Sequence, residues 1–481
     1  MPTTDTRMRR TVIRARIVPI VLAGLGLAGC RPSDVLSVPP PIGVIGGTTL
    51  HNVGGAETEL AGATAQLADG ISGSSGLIEL SGLLTDEFGW TWYSSNPTFA
   101  TIDARFTAAT GAGSGGEQGD TPLNRILTAR SNLLITLAGL RQFEPSSGQS
   151  KVGEAYALIG YAELVMAEDY CAGVPLSVYV PGGGIQYGTP LTTDSLLGTA
   201  EAHFALAAAN AGGNDTVMAL GGVGLGRTRL DRGNFAGAAA AVASVPTGFV
   251  YNLLGGTTGS TGNPNLYETQ LPANNNCGAF NISEREGGTG LNFVSARDPR
   301  LLVDSTIAHT CDGGTWYYPA KFGNPSISVP LATGVEARLI EAEAALHTPD
   351  VPTWTADLNA LRGDAANTGV TFPDSELTIT SDSTTGASAA AQVDVMFRER
   401  AFWLFGTGIR QSDLRRLIRQ YGRDQSTVFP TGPFANGHNP NLPLPLPSYG
   451  TDVSFTLPTA ASGNTTSNPY YKGCLTPTSA G

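Results

Sequence analysis

The sequence predicts a mainly α-helical domain built of helix hairpins and carrying long irregular loops. Apolar residues recur at helical spacing through several windows of about 20 residues. Alanine is dense along those stripes, as in small-residue helix pairs that pack closely. Between them the chain is rich in Gly, Thr, Ser and Pro, with 62 glycines in 481 residues and only 14% charged residues, a mix suited to glycine-rich loops set between helices.

The first element is a leader. Arg7, Arg9, Arg10, Arg14 and Arg16 precede an apolar run from Ile17 to Leu27, which ends in Leu27-Ala28-Gly29-Cys30. Residues 1–29 read as a secretory signal. A cysteine directly after Leu-Ala-Gly resembles the lipobox at which bacterial lipoproteins are cleaved and acylated, so Cys30 is the expected lipidation site. Two or more acyl chains, each contributing about 0.8 kcal/mol per buried CH₂, give stable anchoring. Residues 30–50, with Val38-Pro39-Pro40-Pro41, are the expected spacer, and residues 51–481 the folded body. No second run long enough for a membrane span follows. Arg31 is not the aspartate that resembles an inner-membrane retention signal, which favours the outer membrane.

The chain carries a formal charge of −12, and losing the leader's five arginines and Asp5 brings the body to −16. Nucleic acid and an anionic bilayer face are poor partners for such a surface. Five cysteines become four once Cys30 is lipidated, and an even number outside the cytoplasm favours disulfides. Three pairings are formally possible. Cys277 and Cys311 lie close together in one loop-rich region and are the expected pair, leaving Cys171 with Cys474. Neither a Cys-x-x-Cys nor a paired histidine spacing occurs, so no zinc site and no cofactor is expected.

Helical stripes follow in order. Residues 121–141 carry Ile126, Leu127, Leu133, Leu134, Leu137 and Leu140, and residues 151–169 carry Ala155, Leu158, Ile159, Ala162, Val165 and Met166. The polar turn Glu144-Pro145-Ser146-Ser147-Gly148 joins them into an antiparallel pair. A second set spans Thr193–Asn210, Asp215–Arg232 and an Ala-rich helix through Ala243. Its string GLGRTRLDRGNFAGAAAAVASVP, residues 224–246, resembles a tetratricopeptide unit, with small residues for close approach, a Gly turn and a terminal Pro. Residues 251–330 are a loop-rich excursion of a length that is usually functional or disordered. Helices resume at Gly334, then over 351–366 and 388–405, so that hairpins occupy 121–246 and 334–420. The last 50 residues are Pro/Gly-rich coil.

Three segments together resemble the SusD/RagB family of outer-membrane nutrient-binding lipoproteins. VPLATGVEARLIEAEAAL, residues 329–346, is similar to the family's Ala-Glu-Ala helix after a short entry strand. RERAFWLFGTGIRQSDLRRL, residues 398–417, is similar to its Glu-Arg, Glu-Gly-x-Arg, Asp-Leu-x-Arg signature, and Leu442-Pro443-Leu444-Pro445 with Asn468-Pro469-Tyr470 to its closing elements. Thr407 departs from the pattern where Glu usually stands. The resemblance implies one SusD-like domain and a lid-like binding protein seated on a SusC-type TonB-dependent barrel at the outer membrane. Such a protein delivers oligosaccharide, or in some branches peptide. Arg398, Glu399, Arg400, Arg410, Asp413 and Arg415 need no chemistry to explain them, since their helical spacing permits ion pairs between turns.

Glycan sites set aromatic rings as platforms with polar partners around them. Trp90, Trp92, Tyr93 and Asn96 form one candidate contact cluster, and Trp316, Tyr317 and Tyr318 another; the alternative use of these rings is as core. No enzyme is predicted. Asp86 and Glu87 are adjacent and would face opposite ways in a strand, whereas a glycosidase needs two facing carboxyls. The five histidines match no triad or metal spacing, and Gly182–Gly184 precedes no phosphate-binding lysine. A helical-repeat scaffold lipoprotein with only protein partners is the competing reading.

Overall fold

The computed structural model describes residues 52–480 apart from 74, 92–96, 108–116, 144–148, 181–182, 254–276, 279, 306–308, 311–312, 323–327, 349–350, 380–387, 435–446, 458–467 and 471. The leader, Cys30, the spacer, Trp92, Tyr93, Asn96, Cys311 and residues 442–445 lie outside the described residues.

Helix α1 (Val53–Ser72) starts at Asn52, whose side chain accepts from Gly55 N at 2.9 Å, the usual way of satisfying an orphan helix donor. The buried eight-residue α2 (Leu77–Leu84) and the short α3 (Pro97–Asp103) follow. Then come α4 (Glu117–Phe143) and α5 (Gln149–Asp169), the first predicted hairpin. The second set is α6 (Thr193–Ala209), α7 (Asp215–Asp231) and α8 (Phe235–Val242), capped by Thr192, Asn214 and Asn234 through their side chains. After the excursion come α9 (Gly334–His347), α10 (Val351–Gly363), α11 (Ala365–Thr368), α12 (Ala389–Trp403) and α13 (Arg410–Arg419).

The helices pack in series: α1 on α4, α4 on α5, α5 on α6, α6 on α7, α7 on α8, α8 on α9 and α9 on α10. Small residues make this possible. A Cβ on Gly224 would lie 2.1 Å from the Phe204 ring, and one on Gly160 would lie 2.9 Å from it, so the buried Phe204 of α6 is inserted between glycines of α7 and α5. Within residues 224–246, a Cβ on Gly226 would lie 2.5 Å from Val242 Cγ1, the close approach of α7 and α8 expected of a tetratricopeptide-like pair. One apolar cluster runs from α1 through α8, and a second, around Trp354, Met396 and Phe429, joins α9, α10, α12 and α13.

Two-stranded pairs hold the loops. Val250–Leu253 runs antiparallel to Val329–Thr333, so the excursion leaves and re-enters the helical body side by side. Cys171 and Cys474 are joined as a disulfide across 303 residues, with Cα atoms 5.6 Å apart. Leu475 N donates to Ala172 O (2.7 Å) and Cys171 N to Phe455 O (2.9 Å), so the tail lies along the end of α5. No helix among the described residues is long and apolar enough to cross a membrane.

Candidate functional site

The two aromatic segments marked in the sequence meet on one strand. Phe88–Trp90 pairs antiparallel with Phe280–Ile282, setting Trp90 opposite Phe280. From the other segment, Trp316 Nε1 donates to Phe280 O (2.7 Å), Tyr317 N donates to Asn281 Oδ1 (2.6 Å), and Tyr317 O accepts from Ile282 N (3.0 Å). Residues distant in sequence thus form one aromatic layer. Trp90 packs against Phe99 and Phe280 with ring centroids 4.6 and 5.1 Å away, and Trp316 stacks on Tyr318 at 4.6 Å.

The layer faces inward. Trp90 is 4% and Trp316 0% exposed, and Tyr318 is also buried, so these three rings offer no platform to solvent; among the described residues of the two clusters Tyr317 alone is half-buried. The reason is local. Strand pairing turns Trp90 onto α3, and the Trp316 indole N–H finds its acceptor inside the body, which is how a buried tryptophan is usually satisfied. Tyr179 and Tyr470, by contrast, are 52% and 53% exposed. Tyr179 carried no mark in the sequence beyond standing just before the Pro-Gly-Gly-Gly turn.

Beneath the aromatic layer sits a buried polar floor. Asp86 accepts two bonds from Arg410 (2.7 and 2.8 Å) and one from Leu291 N (2.9 Å). Burial pushes the Glu87 carboxyl up to about 7, against the opposing pull of Gly406 N (3.1 Å) and Arg410. Burial likewise lowers Lys321 to about 8, although Glu87 nearby works the other way; its ammonium donates to Phe405 O. Glu286 is raised by burial and by the adjacent Asp103 carboxyl, and its other contacts are Ser283 Oγ and the Tyr449 hydroxyl (3.2 Å). Asp86 and Glu87 are both 1% exposed and engaged with the body, so they are not a solvent-accessible acid and base.

The signature charges belong to the same interior. Arg400 pairs with Asp413 (2.8 Å), and Arg416 pairs with Glu343 of α9, Asp413 of its own helix (2.8 Å) and Asp231 of α7 (3.4 Å). Although burial opposes it, Arg400 and Arg416 hold Asp413 below its ordinary range. Glu399 is shared by Arg300 (2.7 Å) and Arg362. Arg415 donates to the carbonyls of Ala167 (3.2 Å), Glu168 and Tyr170 (3.5 Å), neutralising the C-terminal end of α5. Arg398 donates to Asn292 Oδ1 (2.9 Å) over the Phe402 ring. Thr407, at the position of the usual Glu, turns its hydroxyl back to Leu404 O (2.6 Å). Among the described residues no group of three His, Cys, Asp or Glu side chains is placed to hold a metal ion.

Serially packed antiparallel helices with a strand-closed excursion and an inward aromatic layer define a tetratricopeptide-like helical protein with an added loop region. Solved structures share this fold. A SusD homolog from Bacteroides thetaiotaomicron matches with a TM-score of 0.61 at 12% identity, over 86% of this chain and 96% of that chain. A SusD superfamily protein from Bacteroides vulgatus matches with a TM-score of 0.58 at 14% identity, over 88% and 98%. A SusD-like carbohydrate binding protein from Bacteroides fragilis matches with a TM-score of 0.56 at 15% identity, over 86% and 98%. The chain has the SusD fold. No protein-family model matches the sequence, and no curated protein matches it.

Proposed function

We propose that this protein is an outer-membrane-anchored, non-catalytic nutrient-binding lipoprotein that takes up an oligosaccharide and passes it to a SusC-type TonB-dependent transporter. The SusD fold, spanning nearly the full length of the solved relatives, carries this reading, since among those relatives are proteins described as SusD-like carbohydrate binding. The lipobox-like Leu27-Ala28-Gly29-Cys30 supplies the anchor that such a role needs, and the acidic body suits a neutral cargo. In this reading Trp92, Tyr93 and Asn96, which follow Trp90 in the sequence, and the half-buried Tyr317 are the glycan contacts. Cys277 and Cys311 form the second disulfide.

The test is a mild-detergent pull-down of the tagged full-length chain from its native membrane, with mass spectrometry of what co-purifies. Recovery of a large TonB-dependent barrel is the expected result. A second reading, a helical-repeat scaffold that binds only protein, is favoured by one observation, the complete burial of Trp316. It predicts a soluble or peripheral protein partner in the pull-down and no barrel.

A further inference from the structure

Gly184, at φ 78°, closes a hairpin in which Val178–Val180 pairs with Gly184–Gln186 and Tyr179 lies opposite Ile185. Directly opposed residues share a face of the ladder. Here both are open to solvent, Tyr179 at 52% and Ile185 at 48%. An aromatic ring and an aliphatic side chain therefore stand side by side at the surface of a chain that buries most of its large apolar residues.

A polar wall faces them. Thr128, Ser131 and Asn132 fall on one side of α4 at helical spacing, and Ser131 Oγ accepts from Tyr179 N (3.3 Å), fixing the hairpin against the helix. Asn468, held by its donation to Gly188 O (2.8 Å), closes a third side. Together they enclose a cleft of about 230 Å³, and among the described residues no charged side chain lines it. That is smaller than the roughly 300–1,000 Å³ of sites that enclose a drug-sized ligand, so it suits one ring rather than a whole chain.

The pattern selects among ligands. A sugar ring has an apolar face for a tyrosine and hydroxyls for side-chain hydroxyls and amides. A uronate or a charged peptide side chain would find no countercharge among the described residues that line the cleft. A peptide strand added to the hairpin would find a ladder of only three residues. We infer that this cleft is a subsite for a neutral sugar ring, with Tyr179 as the stacking platform and with Ser131 Oγ and Asn132 Oδ1, the Asn132 amide nitrogen being held by Gln66 Oε1 (2.6 Å), as its hydrogen-bonding partners. The inference builds on the carbohydrate-binding reading above and locates a place that shares no residue with the Trp90 and Trp316 layer.

The experiment is native affinity electrophoresis of the full chain in mild detergent through gels containing a neutral glucan, mannan, xylan or galactan, or polygalacturonate. Two variants accompany the parent. Tyr179→Ala removes the platform at an exposed position while keeping the backbone bond to Ser131, and Thr128→Arg fills the cleft from an exposed helix site with a good helix former. The expected result is retardation by a neutral polysaccharide, with apparent affinity reduced roughly five- to tenfold in Tyr179→Ala and at least as much in Thr128→Arg, circular dichroism unchanged. Retardation equal in parent and both variants would overturn this subsite and leave the carbohydrate reading standing. Retardation by polygalacturonate alone would overturn the neutral-ligand assignment. Retardation by none of the five would remove the carbohydrate reading and the subsite with it.

Discussion

Replacing Glu87 by Gln tests whether the buried floor is electrostatically strained as its surroundings imply. The carboxyl is 1% exposed, and burial lifts it from 4.5 to about 7. Between those values the folded protein keeps a proton that the unfolded chain has released. Stability is therefore whole below pH 4.5 and falls as pH rises through 7, at about 1.4 kcal/mol per unit while the difference is one proton. Integrated from pH 5 to pH 8, the loss is about 2.5 kcal/mol. The amide cannot ionise and can still accept from Gly406 N, so the variant escapes this loss. Removing the carboxylate also withdraws the charge that supports Lys321, whose lowered value then falls further and adds to the same trend toward pH 8. Urea denaturation of parent and Glu87→Gln at pH 5, 6.5 and 8 reads the effect. The stability difference, variant minus parent, should grow by about 2.5 kcal/mol across that range. A difference that stays flat within about 0.5 kcal/mol would show that Glu87 is ionised at no cost, and the reasoning would fail.

Two further outcomes follow from the interior. Arg416→Met leaves Glu343, Asp413 and Asp231 without the guanidinium that joins α13 to α9 and α7, and stability should drop by about 3–5 kcal/mol in chemical denaturation; a loss below about 1 kcal/mol would mean the network is dispensable. Cys474→Ser frees the tail from Cys171; with a closed loop of 303 residues the chain-entropy ceiling is roughly 5–6 kcal/mol, and removal of a native disulfide commonly costs about 2–5. The variant should melt earlier than the oxidised parent, and equal melting of the oxidised pair would contradict the tether.

Much of the helical frame is legible because its signal is local. The stripes at 121–141 and 151–169 and the Gly turn within 224–246 each declare themselves within a few residues, and the structure runs α4, α5, α7 and α8 through them. The sequence pattern does not delimit helices α1 and α2. Every residue of α2 is buried, so it shows no amphipathic alternation to read, and a continuous apolar run does not distinguish helix from strand. The aromatic clusters illustrate the opposite limit. Composition marks Trp90 and Trp316 as ring-rich, but which way a ring faces is decided by Phe280–Ile282, a strand nearly 200 residues from Trp90 in the chain. Tyr179 carried less signal still, because its exposure depends on how a three-residue hairpin settles on α4.

The recognisable part of the sequence and the proposed ligand-reading part are therefore different residues. Glu343 of the Ala-Glu-Ala helix, Arg400, Arg410, Asp413 and Arg416 are all buried, and each makes its partners across elements that have to meet for the body to close. Burying such charges is costly unless every one is paired, which leaves little freedom in their identity or spacing. Surface clefts have no such demand: Tyr179, Ile185 and Thr128 satisfy no interior group, and replacing them costs the fold little. This explains how the SusD fold extends over 86–91% of this chain at 12–15% identity, and why the signature reports the scaffold. On the proposed function the ligand is chosen by exposed rings and hydroxyls on that scaffold, so binding measurements at those positions, starting with Tyr179, decide what it is.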